Sequence, residues 1–450
     1  MTIAALRQHV VSLPERWIVL SLALLFAGLS IPYAIKASGQ RSAIVRWTPQ
    51  LQQLDEEDIY QRYGYPNPPI MAILLWPLAE MPPLAAAMLW FYLKVGMTLL
   101  ALRWVFRLVE RHDRPFPPWA KLLATLLGLR PIMGDLSHGN VNLFILFLVV
   151  AALYAFHRGR DVSAGVVMAL AICCKVTPAL FVPYFAWKRA WRALAGCALG
   201  LALFLGVVPG VVLGSERNAR DLASWFEAMV IPYVRDGVVT SKHNNQSLPG
   251  LVYRLATDSP SYVSYAGEKY VPVQYDNFAS LSPETARWIV KGCMLVFAVA
   301  VVLLCRTATC QRRGPLALPS PPEAGGEGRV RGGWRLAAEF SLVLLGMLLF
   351  SERTWKQHCV TLVLPFAVLT YYLAACCTTP RLRAYLIATL ALVAVLMATT
   401  STGLMALPAA KAAQVYGAYV WCYLLLAAAL GVLLMQREQA AAGPAGEAAA

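Results

Sequence analysis

The stretch Trp17–Ala34, WIVLSLALLFAGLSIPYA, runs for 18 residues without a charged side chain. An apolar helix of that length can cross the roughly 30 Å of hydrocarbon in a bilayer. Stretches of the same kind recur along the chain, whereas the short alternating segments typical of membrane β-strands are not evident. Because backbone polar groups in lipid must be satisfied within the protein, the pattern predicts an all-α bundle of transmembrane helices.

The overall composition supports a membrane protein. Of the 450 residues, 58% are hydrophobic and 14% are charged, whereas a soluble chain carries about 25% charged residues. The net charge of +15 would suggest nucleic acid in a soluble protein, but in a membrane protein Lys and Arg collect in cytoplasmic loops. The ten cysteines lie almost all in or beside apolar stretches, which is typical of small buried side chains and not of disulfides or a metal site.

The distribution of basic residues predicts the orientation of the chain. Basic clusters are expected on the cytoplasmic side, with both termini and with the Pro/Gly-rich, disordered loop 306–335. The apolar stretches predict about ten to twelve spans in a single domain, residues 1–435, followed by a disordered cytoplasmic tail, residues 436–450. The first stretch is too long for a typical cleaved signal sequence, so we interpret it as a span. The predicted outer loops, which should form the site, are 37–68, 134–140, 215–285 and 351–358.

Lys175 and Pro178 interrupt the apolar block Ser163–Trp187. Basic clusters at both ends of this block predict a hairpin of two short helices with Lys175 near the outer turn. The alternative is one continuous span with the lysine at mid-depth, which would be costly without a partner for the ammonium group. A lysine in this position indicates either a functional group or a side chain that reaches up to the interface.

Four consecutive acids, Asp55–Asp58, stand in the first predicted outer loop, just before the aromatic and proline-rich run Tyr63–Pro69. Such carboxylates could supply a general base or bind a cation. The alternative is that they cap a solvated helix. Asp58, Glu57 and Asp55 are the candidate catalytic residues.

Two further candidate groups lie in the predicted outer loops 134–140 and 215–285. Asn140 and Asn142 open an apolar stretch, where helix capping is the simpler explanation for one of them. Gln246 and Arg254 lie in the longest loop, where an ordinary polar loop is the alternative. All four are candidates for binding a phosphate or a sugar.

The run 351–358 lies between two predicted spans and combines cations, an aromatic ring and a histidine. This set of side chains could bind a phosphate and a sugar together. An interfacial anchor is the alternative, because Trp and Lys favour that depth. The candidates in this run are Arg353, Trp355 and His358.

Taken together, these runs resemble the polyprenyl-phosphate-dependent mannosyl- and arabinosyltransferases of bacteria, including the alpha-1,2-mannosyltransferases, in the C-type membrane glycosyltransferase superfamily. The similarity extends from residue 17 to about residue 375. The matching pieces are Asp58–Tyr60 with Tyr65–Pro69, Gly139–Asn142, Arg158–Arg160 with Ala164–Gly165, Lys175–Tyr184, Asn245–Leu248 with Arg254, and Ser351–His358.

The resemblance implies transfer of a sugar from a lipid-phosphate donor to a lipid or glycan acceptor, by an inverting displacement outside the cytoplasm. It implies a general base in the first outer loop and basic and histidine side chains that bind the donor phosphate. Lys175 and His358 fit that second role by position. The resemblance requires no metal or other cofactor, and nucleic acid is not an expected partner.

The sequence departs from that family in two places. Family members carry an Asp soon after the first span, but residues 38–54 contain no acid, so the base is expected among Asp55–Asp58 or at another acid such as Asp135. The family has Ser-Pro and two adjacent histidines in the last motif, where this chain has Ser351-Glu352 and Gln357-His358. A catalytically inactive scaffold and a polytopic transporter are the alternative functions. A transporter would need an internal repeat, and no second copy of the broken block is evident.

Overall fold

The fold was determined as a computed structural model that describes residues 15–266, 269–307 and 333–436. Helices form nearly all of the regular structure in these ranges, which confirms the predicted all-α class. The disorder predicted within loop 306–335 and in the tail 436–450 falls, apart from the edges of those segments, outside the described residues. The helical segments in chain order are Glu15–Ser38, Ala43–Leu51, Ile59–Tyr63, Pro69–Ala79, Pro83–Val109, Pro118–His138, Asn142–His157, Asp161–Cys174, Thr177–Leu180, Phe181–Trp187, Trp191–Leu201, Ala202–Val207, Val208–Leu213, Ser215–Trp225, Phe226–Val230, Ile231–Val234, Leu248–Ala256, Pro283–Leu304, Gly333–Leu349, Lys356–Leu362, Val363–Tyr371, Tyr372–Cys376, Pro380–Thr399, Leu407–Val415 and Ala418–Met435.

The long polar loop between the spans at 213 and 283 is more structured than its composition suggested. It contains helices Ser215–Trp225 and Leu248–Ala256. Strands Tyr262–Ala266 and Lys269–Gln274 pair antiparallel in a small hairpin, with a register irregularity at Tyr262 and Val263.

The long apolar helices make this chain a multi-pass membrane protein. Within the described ranges, seven helical segments are long and apolar enough to cross a bilayer. Several other predicted spans correspond to shorter helices, such as Asn142–His157 and Asp161–Cys174. Helix Gly333–Leu349 is shorter than a full span and is buried along almost its whole length, so surrounding protein, and not lipid, covers it. The seven long segments are Val19–Ser38, Pro83–Val109, Trp191–Leu213, Pro283–Leu304, Lys356–Cys376, Pro380–Thr399 and Ala418–Met435.

The block around Lys175 folds as the predicted broken segment. Helix Asp161–Cys174 ends at Lys175, whose backbone is extended (φ −160°, ψ 122°). A 3-10 turn at Thr177–Leu180 follows and leads into helix Phe181–Trp187. Pro178 favours this break, because it has no N–H to continue the helical hydrogen bonding.

The partners of two lysines show that the chain reverses direction at this break. Lys175 contacts Asn142, the first residue of helix Asn142–His157. Lys188, at the end of the block, contacts Glu339 near the start of helix Gly333–Leu349. The last residues of that helix, by contrast, lie beside Lys175. The two lysines therefore mark opposite ends of the bundle, as the hairpin prediction required.

Glu339 closes the end of the bundle that lies away from Lys175. Its fully buried carboxylate accepts hydrogen bonds from the Tyr184 hydroxyl and the Thr307 backbone N–H, each at 2.7 Å, and lies 2.8 Å from Lys188 Nζ. A buried ion pair is stable only when further hydrogen bonds satisfy its charges, and these bonds do so.

The prediction of a turn over residues 134–140 was wrong for most of that segment. Helix Pro118–His138 continues through it and ends at Gly139, which has φ +67°. A side chain at Gly139 would collide with the hydroxyl groups of Ser42 and Tyr33, so glycine is required both for this conformation and for the close packing. Asp135 consequently lies on a helix and points into the bundle.

Candidate active site

A small cavity lies at the end of the bundle that contains Lys175. Its apolar lining includes Ile145, Met347 and Leu348. The structure brings together three of the residues that the sequence predicted, namely Asn142, Lys175 and His358. The polar lining consists of Asn142, Lys175, Ser351, Thr354, His358 and Thr361, with Thr177 at its edge.

The half-buried ammonium group of Lys175 has a neutral partner. Its Nζ donates to Asn142 Oδ1 over 2.6 Å. Asn142 Nδ2 in turn donates to Asp135 Oδ1 over 2.9 Å, which fixes the orientation of the amide so that its oxygen faces the lysine. No carboxylate of the described residues lies within ion-pair distance of Lys175 Nζ. Its charge is therefore available to an anionic ligand.

Asp135 holds this arrangement in place. It pairs with Lys94, whose Nζ lies 3.2 Å from Asp135 Oδ2, and both side chains are fully buried. The carboxylate also accepts from the backbone N–H groups of Asn142 and Leu143, each at 3.3 Å, so it satisfies unpaired donors at the start of helix Asn142–His157. With these contacts Asp135 is suited to positioning Asn142 and poorly suited to accepting a proton.

His358 also lines the cavity and lies in the 3-10 turn Lys356–Leu362. Its ring stacks on Trp355 with 5.9 Å between ring centroids. The Trp355 backbone N–H donates to His358 Nδ1 over 3.4 Å, which places the proton of the neutral ring on Nε2. His358 can therefore donate a hydrogen bond to an oxygen of a ligand.

Two more cations lie near this turn: Lys356, which belongs to the predicted run 351–358, and Arg130, which the sequence does not single out. Lys356 Nζ and Arg130 Nη2 both donate to the Thr400 carbonyl, over 3.0 and 3.1 Å. That carbonyl belongs to the end of helix Pro380–Thr399, where positive charge is favourable. Neither cation has an acidic partner among the described residues. Together with Lys175 they give this end of the bundle an excess of positive charge, which attracts anions.

Gln246 and Arg254 lie outside the cavity lining. Gln246 Nε2 donates to the Gln414 carbonyl over 2.8 Å, and its Oε1 accepts from the Tyr419 N–H. The fully buried Arg254 guanidinium donates to backbone carbonyls only, and burial lowers its pKa to about 10. Both side chains connect the long polar loop between residues 213 and 283 to the last helices, and a role in donor binding stays a prediction. The carbonyls that Arg254 contacts belong to Ser241, Lys242, Asn245, Gln414 and Val415.

Replacing Arg254 with methionine should lower the free energy of unfolding by about 2–4 kcal/mol, because several buried carbonyls lose a charged donor. Thermal unfolding of the purified protein in detergent measures this loss. Arg235→Met, which removes an exposed arginine, should leave the unfolding temperature unchanged. If Arg254→Met unfolded at the same temperature as the wild type, the hydrogen bonds from Arg254 to these carbonyls would not stabilise the fold.

The structure places the candidate acids at the ends of short elements and not in the cavity lining. Asp58 caps helix Ile59–Tyr63, where its Oδ1 accepts from the Tyr60 and Gln61 N–H groups at 2.9 and 3.1 Å. Its Oδ2 accepts from the Ser224 hydroxyl over 2.6 Å. Asp58 thus caps a helix, as the alternative interpretation of the sequence proposed. Its catalytic role stays a prediction.

The remaining acids and loop candidates also have local partners. Glu57 pairs with the exposed Arg62, and the Asp55 carbonyl accepts from Arg217. Arg353 pairs with Glu352 over 3.1 Å, and its guanidinium lies 5.7 Å from the centre of the Trp355 ring. Asn140 Oδ1 accepts from the neighbouring Val141 N–H. None of these candidates is among the cavity-lining residues in the described part of the chain.

Comparison with known proteins assigns the chain to a family. Residues 65–320 match Glycosyltransferase family 87. The polyprenol-phosphate-mannose-dependent alpha-(1-2)-phosphatidylinositol pentamannoside mannosyltransferase of Mycolicibacterium smegmatis is 30% identical over 154 residues, which cover 34% of this chain and 36% of that relative. The corresponding phosphatidylinositol mannoside mannosyltransferase of Mycobacterium tuberculosis is 30% identical over 155 residues, or 31% of this chain and 36% of the relative.

These alignments span about a third of the length of the curated relatives. The family match, by contrast, covers more than half of this chain. As the resemblance implied, the chain therefore belongs to Glycosyltransferase family 87.

Proposed function

We propose that this protein transfers a mannose-like sugar from a polyprenyl-phosphate donor to a hydroxyl group of a lipid or glycan acceptor. The observation that carries the proposal is the half-buried Lys175, which has no acidic partner among the described residues and shares a cavity with His358. The names of the two relatives specify polyprenol-phosphate-mannose and phosphatidylinositol mannosides, which favours mannose over arabinose. It also favours a lipid-linked acceptor.

In this proposal the donor phosphate is the leaving group. Lys175 and His358 bind its oxygens, so that they stabilise the negative charge that grows as the bond from the anomeric carbon to phosphate breaks. The apolar side chains Ile145, Met347 and Leu348 line the same cavity and suit the first units of a prenyl chain. An outer-loop carboxylate takes the proton of the attacking hydroxyl, and the configuration at the anomeric carbon is inverted.

We also propose that the cavity faces the extracytoplasmic side of the plasma membrane, with both termini in the cytoplasm. The basic clusters at residues 157–160 and 188–192 lie at the end of the bundle away from Lys175. Because basic clusters mark the cytoplasmic side, the opposite end, which contains Lys175, is the outer one.

Sugar transfer by the purified, lipid-reconstituted protein tests the proposal. A panel of labelled polyprenyl-phosphate sugars serves as donors, with phosphatidylinositol mannosides and a total lipid extract as acceptors. We expect transfer from the mannosyl donor and a loss of about 100-fold or more in His358→Ala, the size typical of losing one donor to a developing oxyanion. His112→Ala, which changes an exposed histidine, should be fully active.

A catalytically inactive scaffold is the second candidate, because no acid is among the cavity-lining residues in the described ranges. Binding of a donor lipid without transfer to any acceptor would favour the scaffold. Asp58→Asn in the same assay tests the original assignment of the base.

A further inference from the structure

One face of helix Ser215–Trp225 packs against the loop that contains the candidate acids. Arg217 Nη2 donates to the Glu57 carbonyl over 2.7 Å, and the Ser224 hydroxyl donates to Asp58. Between these two contacts, on the same face, lies Asp221. The local sequence does not single out this aspartate, because it stands among mixed charges in a polar segment.

The carboxylate of Asp221 is buried without the hydrogen bonds that a buried charge normally requires. The residue is 3% exposed, and its Oδ2 accepts no hydrogen bond from any described residue. The nearest cation contact is Arg217 Nε at 3.8 Å, which is too long for a hydrogen bond. Buried polar atoms are almost always satisfied, so an exception indicates a function or an absent ligand.

A second unsatisfied group lies close to Asp221. Tyr60 is 1% exposed, and its hydroxyl group has no hydrogen-bond partner among the described residues. The helices that carry these two residues pack against each other, and the charge of Asp221 contributes to raising the pKa of Tyr60 above its usual value, after burial itself. The Tyr60 hydroxyl and Asp221 Oδ2 are therefore neighbouring buried groups without hydrogen-bond partners, and Arg217 Nε is a third such atom in the described part of the chain.

The electrostatic surroundings of Asp221 suit a proton acceptor. Its pKa is raised to about 6, chiefly by burial; the charge of Arg217 opposes this shift, that of Asp58 adds to it, and that of Arg220 opposes it. The packed helix Ile59–Tyr63 also carries Tyr60, Arg62 and Tyr63, and Glu227 follows on the next segment of the chain. The other packed helices, Pro69–Ala79 and Ala202–Leu213, contain no ionisable residue. A general base works best when its pKa lies near the operating pH.

Buried side chains lie between Asp221 and the segment that carries Lys175. Tyr60 contacts Tyr65 edge to face, with 6.1 Å between ring centroids. Tyr65 is fully buried and lies close enough to Cys174 for that thiol to influence its pKa, and Cys174 directly precedes Lys175. The proposed base and the phosphate-binding lysine would thus lie on either side of these buried side chains.

We propose that Asp221, and not Asp58, is the carboxylate that accepts the proton, and that the attacking hydroxyl group of a sugar or polyol acceptor binds between Asp221 Oδ2 and Tyr60. The inference rests on the proposed function.

The acceptor oxygen forms its bond to the anomeric carbon as the bond to the phosphate oxygen breaks, and that electron pair leaves with the phosphate. The proton moves to Asp221 Oδ2 and is then released to water. Both carboxylate oxygens of Asp58 already accept hydrogen bonds within the protein, which suits a positioning group.

Three matched variants, Asp221→Asn, Asp58→Asn and Glu227→Gln, test this inference in the reconstituted transfer assay. Asp221→Asn should lower kcat by about 100-fold or more, the usual contribution of a general base, with donor affinity unchanged. Tyr60→Phe should raise the acceptor KM. Glu227→Gln changes an exposed acid just beyond the same helix and should have no effect. Asp58→Asn should lower kcat less than Asp221→Asn.

Dependence on pH supplies a second readout. The wild-type rate should rise as the pH increases through about 6, because the base must be ionised, and this rise should disappear in Asp221→Asn. The raised pKa also means that the folded state holds the proton of Asp221 more tightly than the unfolded chain. Stability from this group is therefore lost as pH rises from about 4 to 6, and Asp221→Asn should unfold at the same or a higher temperature than the wild type at pH 8.

Full activity of Asp221→Asn would overturn the inference. A loss of activity that merely follows a lowered unfolding temperature would also overturn it, because Asp221 would then be a structural partner of Arg217. A loss confined to Asp58→Asn would return the assignment to Asp58. If the wild type transfers no sugar from any donor, the proposed function itself fails, and that result differs from an active wild type with an active Asp221→Asn variant.

Discussion

Replacing Lys175 with methionine is expected to abolish sugar transfer without damaging the fold. Methionine has a similar length and no charge. The ammonium group contacts the neutral oxygen of Asn142, so its removal leaves no buried anion without a partner. We expect a fall in kcat/KM of about 100-fold or more, weaker donor binding, and an unfolding temperature equal to or above that of the wild type.

Transfer kinetics and binding of the donor lipid, measured on the same preparation, separate the two roles of the lysine. Lys175→Arg should restore only part of the activity, because a planar guanidinium does not replace a compact ammonium at a single amide oxygen. Lys291→Met, which alters an exposed lysine on helix Pro283–Leu304, is the matched control. Retained transfer by Lys175→Met would show that this lysine merely reaches towards the membrane surface.

Breaking the buried pair of Lys94 and Asp135 is expected to have the largest effect on stability. Either Lys94→Met or Asp135→Asn leaves one charge buried without its counter-ion, which costs about 3–5 kcal/mol. Asp135→Asn should also reduce transfer, because Asn142 loses the acceptor that orients its amide toward Lys175.

The double variant Lys94→Met/Asp135→Asn distinguishes a coupled pair from two independent groups. It should be clearly more stable than the sum of the single losses predicts, because neither charge remains. Unfolding in detergent, followed by heat or denaturant, measures all three variants. Asp113→Asn, in an exposed pair with Arg111, should show no measurable change, as expected for surface ion pairs. Strictly additive losses would contradict the coupling.

The broken block at Lys175 could be predicted because the relevant signals are local. A lysine and a proline close together interrupt an apolar stretch, and basic clusters flank it. The turn over residues 134–140 was predicted wrongly because Asp135 and His138 appeared too polar for a helix inside the bundle. Lys94, 41 residues away, neutralises Asp135, and this pairing is invisible in the local sequence.

The sequence predicts the part of the candidate site whose signals are local. Asn142, Lys175 and His358 are unusual residues for their apolar surroundings, and the structure brings them together. Asp221 and Arg130 are not unusual locally, and their significance comes from contacts with segments distant in the sequence, such as Tyr60 and Thr400. Gln246 and Arg254, which the sequence offers as candidate ligands, satisfy backbone groups in the structure, because a folded loop has its own hydrogen-bonding requirements. Their role in donor binding stays a prediction.

The contacts of Glu339 determine when the hairpin that ends at Lys188 can complete its folding during synthesis. Tyr184 and Glu339 are 155 residues apart, so the hairpin that ends at Lys188 emerges from the ribosome long before its anchor exists. Lys175, in contrast, finds Asn142 only 33 residues earlier in the chain. The part of the hairpin around Lys175 can therefore form its contact with Asn142 during synthesis. Lys188 can pair with Glu339 only after helix Gly333–Leu349 has been inserted. Chains truncated before residue 333 should accordingly expose this hairpin to membrane proteases, and completion of biogenesis should coincide with its protection.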